Sequence, residues 1–430
     1  MAEQAQPTSP YRPGFNQAPM VLAGRDEVLA AAEEAIAIAA LDRRTPQPLL
    51  LVGARGVGKT VLLGEIASRA GAAHGWPHAH IEVTPSTPFR PALTDAVAST
   101  VRLLESGRMR TRIRTTDTVL RAGLPGTGAE VHLAREPQRE TDPTLAIAGA
   151  LRELAARLEE RDTGVVLTVD EAQLADRDEM TRFAAALQEG TGNNWPLVVV
   201  IAGLRSIRDH RRMPSYFERA EWHELGSLDH HATLEALMGP AATAGRPFER
   251  AAAELLARET GGYPYAIQLY GHHAWRASTE RKRITLAAAQ QAARTASVQL
   301  ERGLYAQRWA QASPREQQYL LALAAQQAEG QPMTGGAVAR RLGMTPAQLS
   351  QHRARLIEKG TLVAESDTLS FTVPGMAAYV LRALDATQAQ ELTERGRRPA
   401  QLAIRPTVKP VTPRPRRSPS TRDTSRKRTS

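Results

Sequence analysis

Eight consecutive residues carry the clearest chemistry in the chain: Gly53-Ala54-Arg55-Gly56-Val57-Gly58-Lys59-Thr60. They sit between the apolar run Pro48–Val52 and a helical stretch. Glycines at three of the eight positions let the backbone curl, so that its N–H groups converge on an anion at a helix N-terminus. Lys59 would reach the β- and γ-phosphates of a nucleotide, and the Thr60 hydroxyl would ligate Mg²⁺. An ordinary glycine-rich turn is the plain alternative. The strand–loop–helix setting and the Lys-Thr ending favour a phosphate cradle.

A second group lies about 110 residues on, where Val165-Val166-Leu167-Thr168-Val169 runs into Asp170 and Glu171. A buried strand of a parallel sheet delivers its C-terminal residues to the ligand edge. Asp170 would then hold Mg²⁺, and Glu171 would polarise an attacking water. Taken alone, two carboxylates at a strand end are as readily a solvated acidic turn. Beside a phosphate cradle they read as its partner.

The elements that must position these groups follow from the hydrophobic pattern. Strand-like runs recur at His78–Val83, Gly164–Val169 and Pro196–Ala202, with helical stretches between them. That alternation implies an α/β fold with a parallel sheet covered on both faces. From Ser106 to Asp142 the pattern fails, and the stretch reads as an insertion, with a hairpin as one form. After about Ser227 the strands stop, and Ala- and Leu-rich helices run to about Tyr305. Ser313–Leu384 then gives a helix–helix–helix–hairpin pattern. The expected divisions are a disordered N-terminus (1–18), a P-loop core (19–227), a helical lid (228–305), a C-terminal module (306–386) and a disordered tail (387–430).

Charge sharpens that division. The net charge is +10, yet residues 386–430 hold 12 Lys+Arg against 3 Asp+Glu, leaving 43 against 42 for residues 1–385. The folded part is nearly neutral and the tail is basic. Only five of the 55 basic residues are lysine, a bias expected of a GC-rich bacterial genome, so arginine abundance alone does not signal nucleic acid. The chain has no cysteine, which excludes disulfides and thiolate metal sites. The 11 histidines form no metal-binding spacing. No apolar run reaches membrane length and the N-terminus lacks a signal-peptide plan, so a cytoplasmic protein, bacterial and possible at the nucleoid, is the expectation.

Taken together, the two chemical groups resemble Walker A and Walker B of the AAA+ class. Val21-Leu22-Ala23-Gly24-Arg25-Asp26-Glu27 resembles the hydrophobic–Gly–Arg box of its origin-recognition-like and STAND branches. The resemblance implies that Val21, Leu22, Gly24 and Arg25 line an adenine pocket. Thr260-Gly261-Gly262-Tyr263-Pro264-Tyr265 resembles the lid motif of those branches, which places Pro264 near the nucleotide. AGLRSIRD, SYFERA and GGYPYAIQLYGHHAW together resemble uncharacterised bacterial ATPases with a C-terminal winged helix. The likeness covers about residues 19–384 and implies ATP and Mg²⁺ as ligands, with Lys59 and Glu171 catalytic.

Two departures bear on turnover. The strand after Walker B usually ends in a polar sensor residue in the AAA+ class, whereas Val200-Ile201-Ala202-Gly203 offers none. Pro264 also stands near where many relatives carry a sensor arginine. Arg219, in Ser215-Tyr216-Phe217-Glu218-Arg219, falls where an arginine finger would act on a neighbouring subunit in a homo-oligomer. A surface arginine is the plain alternative.

In the C-terminal module, Thr334–Arg341 and Pro346–Lys359 read as two helices joined at Gly343-Met344-Thr345, with Thr345 as an N-cap. Thr361–Ala364 and Leu369–Val373 read as a hairpin wing. Gln348, Gln351, Arg353 and Arg355 are the polar positions of the second helix, suited to base or phosphate contact with DNA. A regulatory packing module is the competing reading. The tail would add salt-dependent attraction to phosphates. The function expected is therefore a DNA-associated ATPase whose nucleotide state controls assembly or DNA engagement. The rivals are a STAND-like switch with little turnover and a transposition-helper ATPase that loads on DNA.

Overall fold

The computed structural model describes residues 8–14, 17–106, 143–208, 213–278, 282–365 and 367–383. The expected insertion hairpin beyond Ser106 and the basic tail lie outside the described residues.

The first part runs α1 (Asp26–Ala40), β1 (Leu49–Gly53), α2 (Lys59–His74), β2 (His78–Glu82), α3 (Phe89–Glu105), α4 (Pro143–Glu160), β3 (Val165–Asp170), α5 (Arg177–Gly192), β4 (Leu197–Gly203) and β5 (Glu221–Leu225). The five strands are parallel in the order β2-β3-β4-β1-β5. Every residue of β1, β3 and β4 is buried, which is why these strands read as unbroken apolar runs. Odd and even residues of β1 feed different cores. Leu49 and Leu51 pack with α1 and α2, while Leu50 and Val52 pack with α3, α4 and α5. Each such buried aliphatic side chain contributes about 1.5–3 kcal/mol.

β5 is a strand that no apolar run announces. Glu-Trp-His-Glu-Leu alternates exposure at the sheet edge and pairs with β1, Leu49 opposite Glu221 and Gly53 opposite Leu225. Its edge position lets two carboxylates face water.

The helices α6 (His230–Thr243), α7 (Arg250–Thr260), α8 (Pro264–Ala277) and α9 (Leu286–Leu300) form a second body around Leu237, Leu256, Ile267 and Ala289. Tyr11, from the N-terminal segment, is buried in that core against Gly271. A single π turn, Glu301–Tyr305, leads into α10 (Ala306–Ala310). Then come α11 (Pro314–Ala328), α12 (Gly335–Leu342), α13 (Pro346–Glu358), β6 (Leu362–Glu365), β7 (Thr368–Phe371) and α14 (Met376–Arg382). Strands β6 and β7 pair antiparallel. Leu320, Val338, Leu349, Leu356 and Leu369 make a separate small core, whereas Met376 and Val380 of α14 return to the core of α6–α9.

Candidate nucleotide site

The helix α2 begins at Lys59 behind Gly56 and Gly58, whose φ angles of 81° and 95° place both in the left-handed region. No side chain caps α2, so its first N–H groups face the loop. At Gly56 a second constraint applies: a Cβ there would overlap the Tyr263 hydroxyl, so only glycine fits beneath that ring. Lys59 is buried, and its Nζ donates to the carbonyls of Gly53 (3.0 Å) and Ala54 (2.8 Å). Burial draws the Lys59 ammonium below its usual pKa, opposed by the nearby Glu171 and Asp170 carboxylates.

The end of β3 meets this loop directly. Thr60 Oγ1 donates to Asp170 Oδ2, and the Glu171 N–H donates to Asp170 Oδ1 at 2.8 Å. Two hard oxygen donors thus lie side by side at the start of α2, a donor set that fits Mg²⁺. Glu171 turns the chain out of β3 with φ 53°. Its Oε2 accepts from the Gln173 amide and lies 3.9 Å from Arg55 Nη2. With Arg55 half exposed, that ion pair orients more than it stabilises.

Of the remaining predicted binding residues, Arg25 reaches the loop, while Val21, Gly24 and Pro264 belong to or lie against the α6–α9 body. Arg25 Nη2 donates to the carbonyls of Gly226 (2.8 Å) and Val57 (3.1 Å), tying the start of α1 to the loop and to the end of β5. Burial lowers the pKa of its guanidinium. Val21 packs against the α6–α9 core, Leu22 beside it is half-buried, and Gly24 turns with φ 63°. Pro264 is the first residue of α8, and the Tyr263 hydroxyl before it donates to the Arg55 carbonyl at 3.0 Å.

Two further residues at this edge had no signal in the sequence. Arg308 of α10 is buried and donates to the Gly360 carbonyl at 2.7 Å. A Cβ at Gly360, just past α13, would come within 3.7 Å of the Arg55 side chain and 3.8 Å of its backbone nitrogen, so the two stretches run close together. Val363 of β6 packs on the α1–α2 core, and α13 runs beside the turn Arg205–Arg208 that follows β4. The C-terminal module is therefore seated on the edge that holds the loop.

Arg219 lies elsewhere. It precedes β5, whose first residue pairs with Leu49, whereas the loop begins at Gly53 opposite the last residue of β5. Arg219 is exposed at the far end of the sheet from its own chain's loop. The four polar residues of α13 are all exposed, but not equally available. Gln348 Oε1 accepts from the Thr345 N–H at 2.9 Å and closes a capping box. The Arg353 guanidinium rests over Gly335 at the start of α12. Among the described residues, no helix is long and apolar enough to cross a membrane, and no group of three His, Asp or Glu could hold a metal ion.

Comparison with known proteins bears on the fold and on the first part of the chain. Residues 21–200 match the AAA ATPase domain, and residues 302–380 match a domain of unknown function. A search of curated proteins found no match. A Walker-type ATPase of Pyrococcus abyssi is similar in structure at 17% identity and a TM-score of 0.59, covering 87% of this chain and 98% of that one. The ORC2 protein of Aeropyrum pernix, solved as ADPNP–ADP complexes, is similar at 13% identity and a TM-score of 0.54, covering 89% and 96%. At these identities the likeness concerns the fold. The chain thus has an AAA+ fold, and its residues 21–200 match the AAA ATPase domain.

Proposed function

We propose that the chain binds ATP with Mg²⁺ at the edge formed by residues 53–60, Asp170 and Glu171, and hydrolyses it. The observation that carries this is the joining of Thr60 to Asp170, with Glu171 next in the chain and Lys59 facing both. Lys59 would exchange its two loop carbonyls for the β- and γ-phosphates. Thr60 and Asp170 would hold the metal ion, which supplies charge neutralisation on the phosphates when bound. Glu171 would orient a water and accept its proton. Val21, Leu22, Gly24, Arg25 and Pro264 would bound the base. The test is ATP turnover and ATP affinity measured side by side for Glu171→Gln. Retained affinity with lost turnover supports the assignment, and unchanged turnover defeats it.

The same reading extends to the C-terminal module. We take residues 306–386 as a winged helix that engages DNA through α13, with Gln351 and Arg355 as its available contacts and the tail as a sequence-independent arm. Because Gly360 runs close to Arg55, and the Tyr263 hydroxyl donates to the Arg55 carbonyl, occupancy of the loop would be coupled to seating of the module. This coupling is what favours a nucleotide-controlled switch as the second reading. The limits proposed from the sequence are kept with two changes: Tyr11, within the N-terminus expected to be disordered, is buried in the α6–α9 core because its ring fills the space over Gly271, and α14 packs into the same body. Arg219 would serve only a neighbouring subunit, so its role requires a homo-oligomer. Mixing subunits that lack Arg219 with Lys59→Ala subunits tests it by recovered turnover.

A further inference from the structure

The end of β4 bears no polar side chain, yet a polar group stands there. Gln173, two residues after Glu171, reaches across from the turn that follows β3. Its Oε1 accepts from the Leu204 N–H at 2.9 Å, just past the last residue of β4. That bond decides the orientation of the amide, since a nitrogen in the same place would face another donor. The Nε2 group is thereby turned towards Glu171 and donates to its Oε2. Glu171 Oε1 makes no hydrogen bond or ion pair among the described residues.

Gly203 completes the arrangement. A Cβ built there would lie 3.1 Å from Gln173 Oε1 and equally close to Ile207. A side chain at the end of β4 would therefore crowd the amide. The bare strand end and the long side chain from the neighbouring turn occupy the place in complementary fashion. Glu171 needs such a hold, because its backbone sits in the left-handed region and its carboxylate is only partly buried.

We infer that Gln173 is the positioning residue of the hydrolytic centre, an amide anchored on the β4 end that holds one oxygen of Glu171 and leaves the other for the attacking water. This rests on the proposed role of Glu171 as the proton acceptor. Losing the hold leaves the carboxylate free to rotate away from the γ-phosphate, so the chemical step slows while nucleotide contacts stay intact.

The test compares the full chain with Gln173→Ala and Gln173→Glu, measuring single-turnover hydrolysis at saturating ATP and ATP affinity by calorimetry. Both variants should hydrolyse at least about tenfold more slowly, with affinity within about twofold of the parent. The Glu variant is the discriminating one. It keeps an oxygen for the Leu204 N–H and nearly the same shape, but cannot donate to Glu171. If Gln173 merely ties the two strand ends together, Gln173→Glu retains the parental rate, and the inference is overturned. A parent chain that binds ATP and never cleaves it overturns the reading of Glu171 and this inference with it. A parent that cleaves ATP and is matched by both variants overturns the inference alone.

Discussion

Helices α2 and α13 begin in opposite ways. α2 starts behind a left-handed glycine with no side-chain cap, so its first N–H groups remain directed at the loop. α13 starts behind Thr345, which accepts from the Gln348 N–H while the Gln348 side chain accepts from the Thr345 N–H. One helix end is left open for an anion, and the other is closed by its own side chains. From sequence, the start of α2 reads as an anion-facing end, whereas α13 reads as capped by Thr345 with polar side chains along it suited to contact. Of the two, only α2 leaves its helix end uncapped, so any contact made by α13 must come from side chains further along it.

The comparison can be broken most severely at Lys59. Lys59→Ala removes the buried ammonium that complements the open helix end, and ATP affinity should fall by about 3 kcal/mol, a hundredfold or more. Calorimetry reads this, and near-parental affinity would mean that the open end does not take phosphate. Glu171→Gln should leave ATP affinity in place while turnover drops on the order of 10²-fold, seen in steady-state phosphate release.

Smaller effects sharpen the other side. Thr345→Ala opens the capped end of α13 and should cost about 1 kcal/mol of stability, read as a lowered denaturant midpoint, with ATP affinity unchanged. Deleting 387–430 removes 12 basic residues, and should flatten the salt dependence of binding to any duplex. Substituting Gln351 or Arg355 with Ala should instead weaken binding a few-fold and only to preferred sites, whereas Gln348→Ala should act through stability. Isotherms on two unrelated duplexes at two salt concentrations separate these outcomes.

Legibility followed the range of the interactions involved. Residues 53–60 act through their own backbone curl, so the spacing of Gly53, Gly56, Gly58 and Lys59 was enough to place a loop before a helix. β3 and β4 were legible because burial on both faces demands unbroken apolar runs. β5 was not, since an edge strand with Glu221 and Glu224 facing water lacks that signature. Of the four polar residues read along α13, sequence could not say that Gln348 caps its own helix or that Arg353 folds over Gly335. Both facts depend on χ angles and on neighbours that spacing does not encode.

By itself, then, the sequence determined the parallel α/β core, the glycine loop that opens α2, and the two carboxylates at the end of β3. Each rests on a local pattern: a turn that only glycine permits, or a strand whose burial leaves one choice of residue class. Tertiary structure alone decided what crosses between elements. It set Gln173 at the bare end of β4, Tyr263 over Gly56, and Gly360, held by Arg308, close to Arg55. Those contacts join residues up to about 300 positions apart in the chain, and nothing in the spacing of either partner specifies the other. Their geometry follows from how the sheet, the helical lid and the C-terminal module pack, which is a property of the closed fold rather than of any segment.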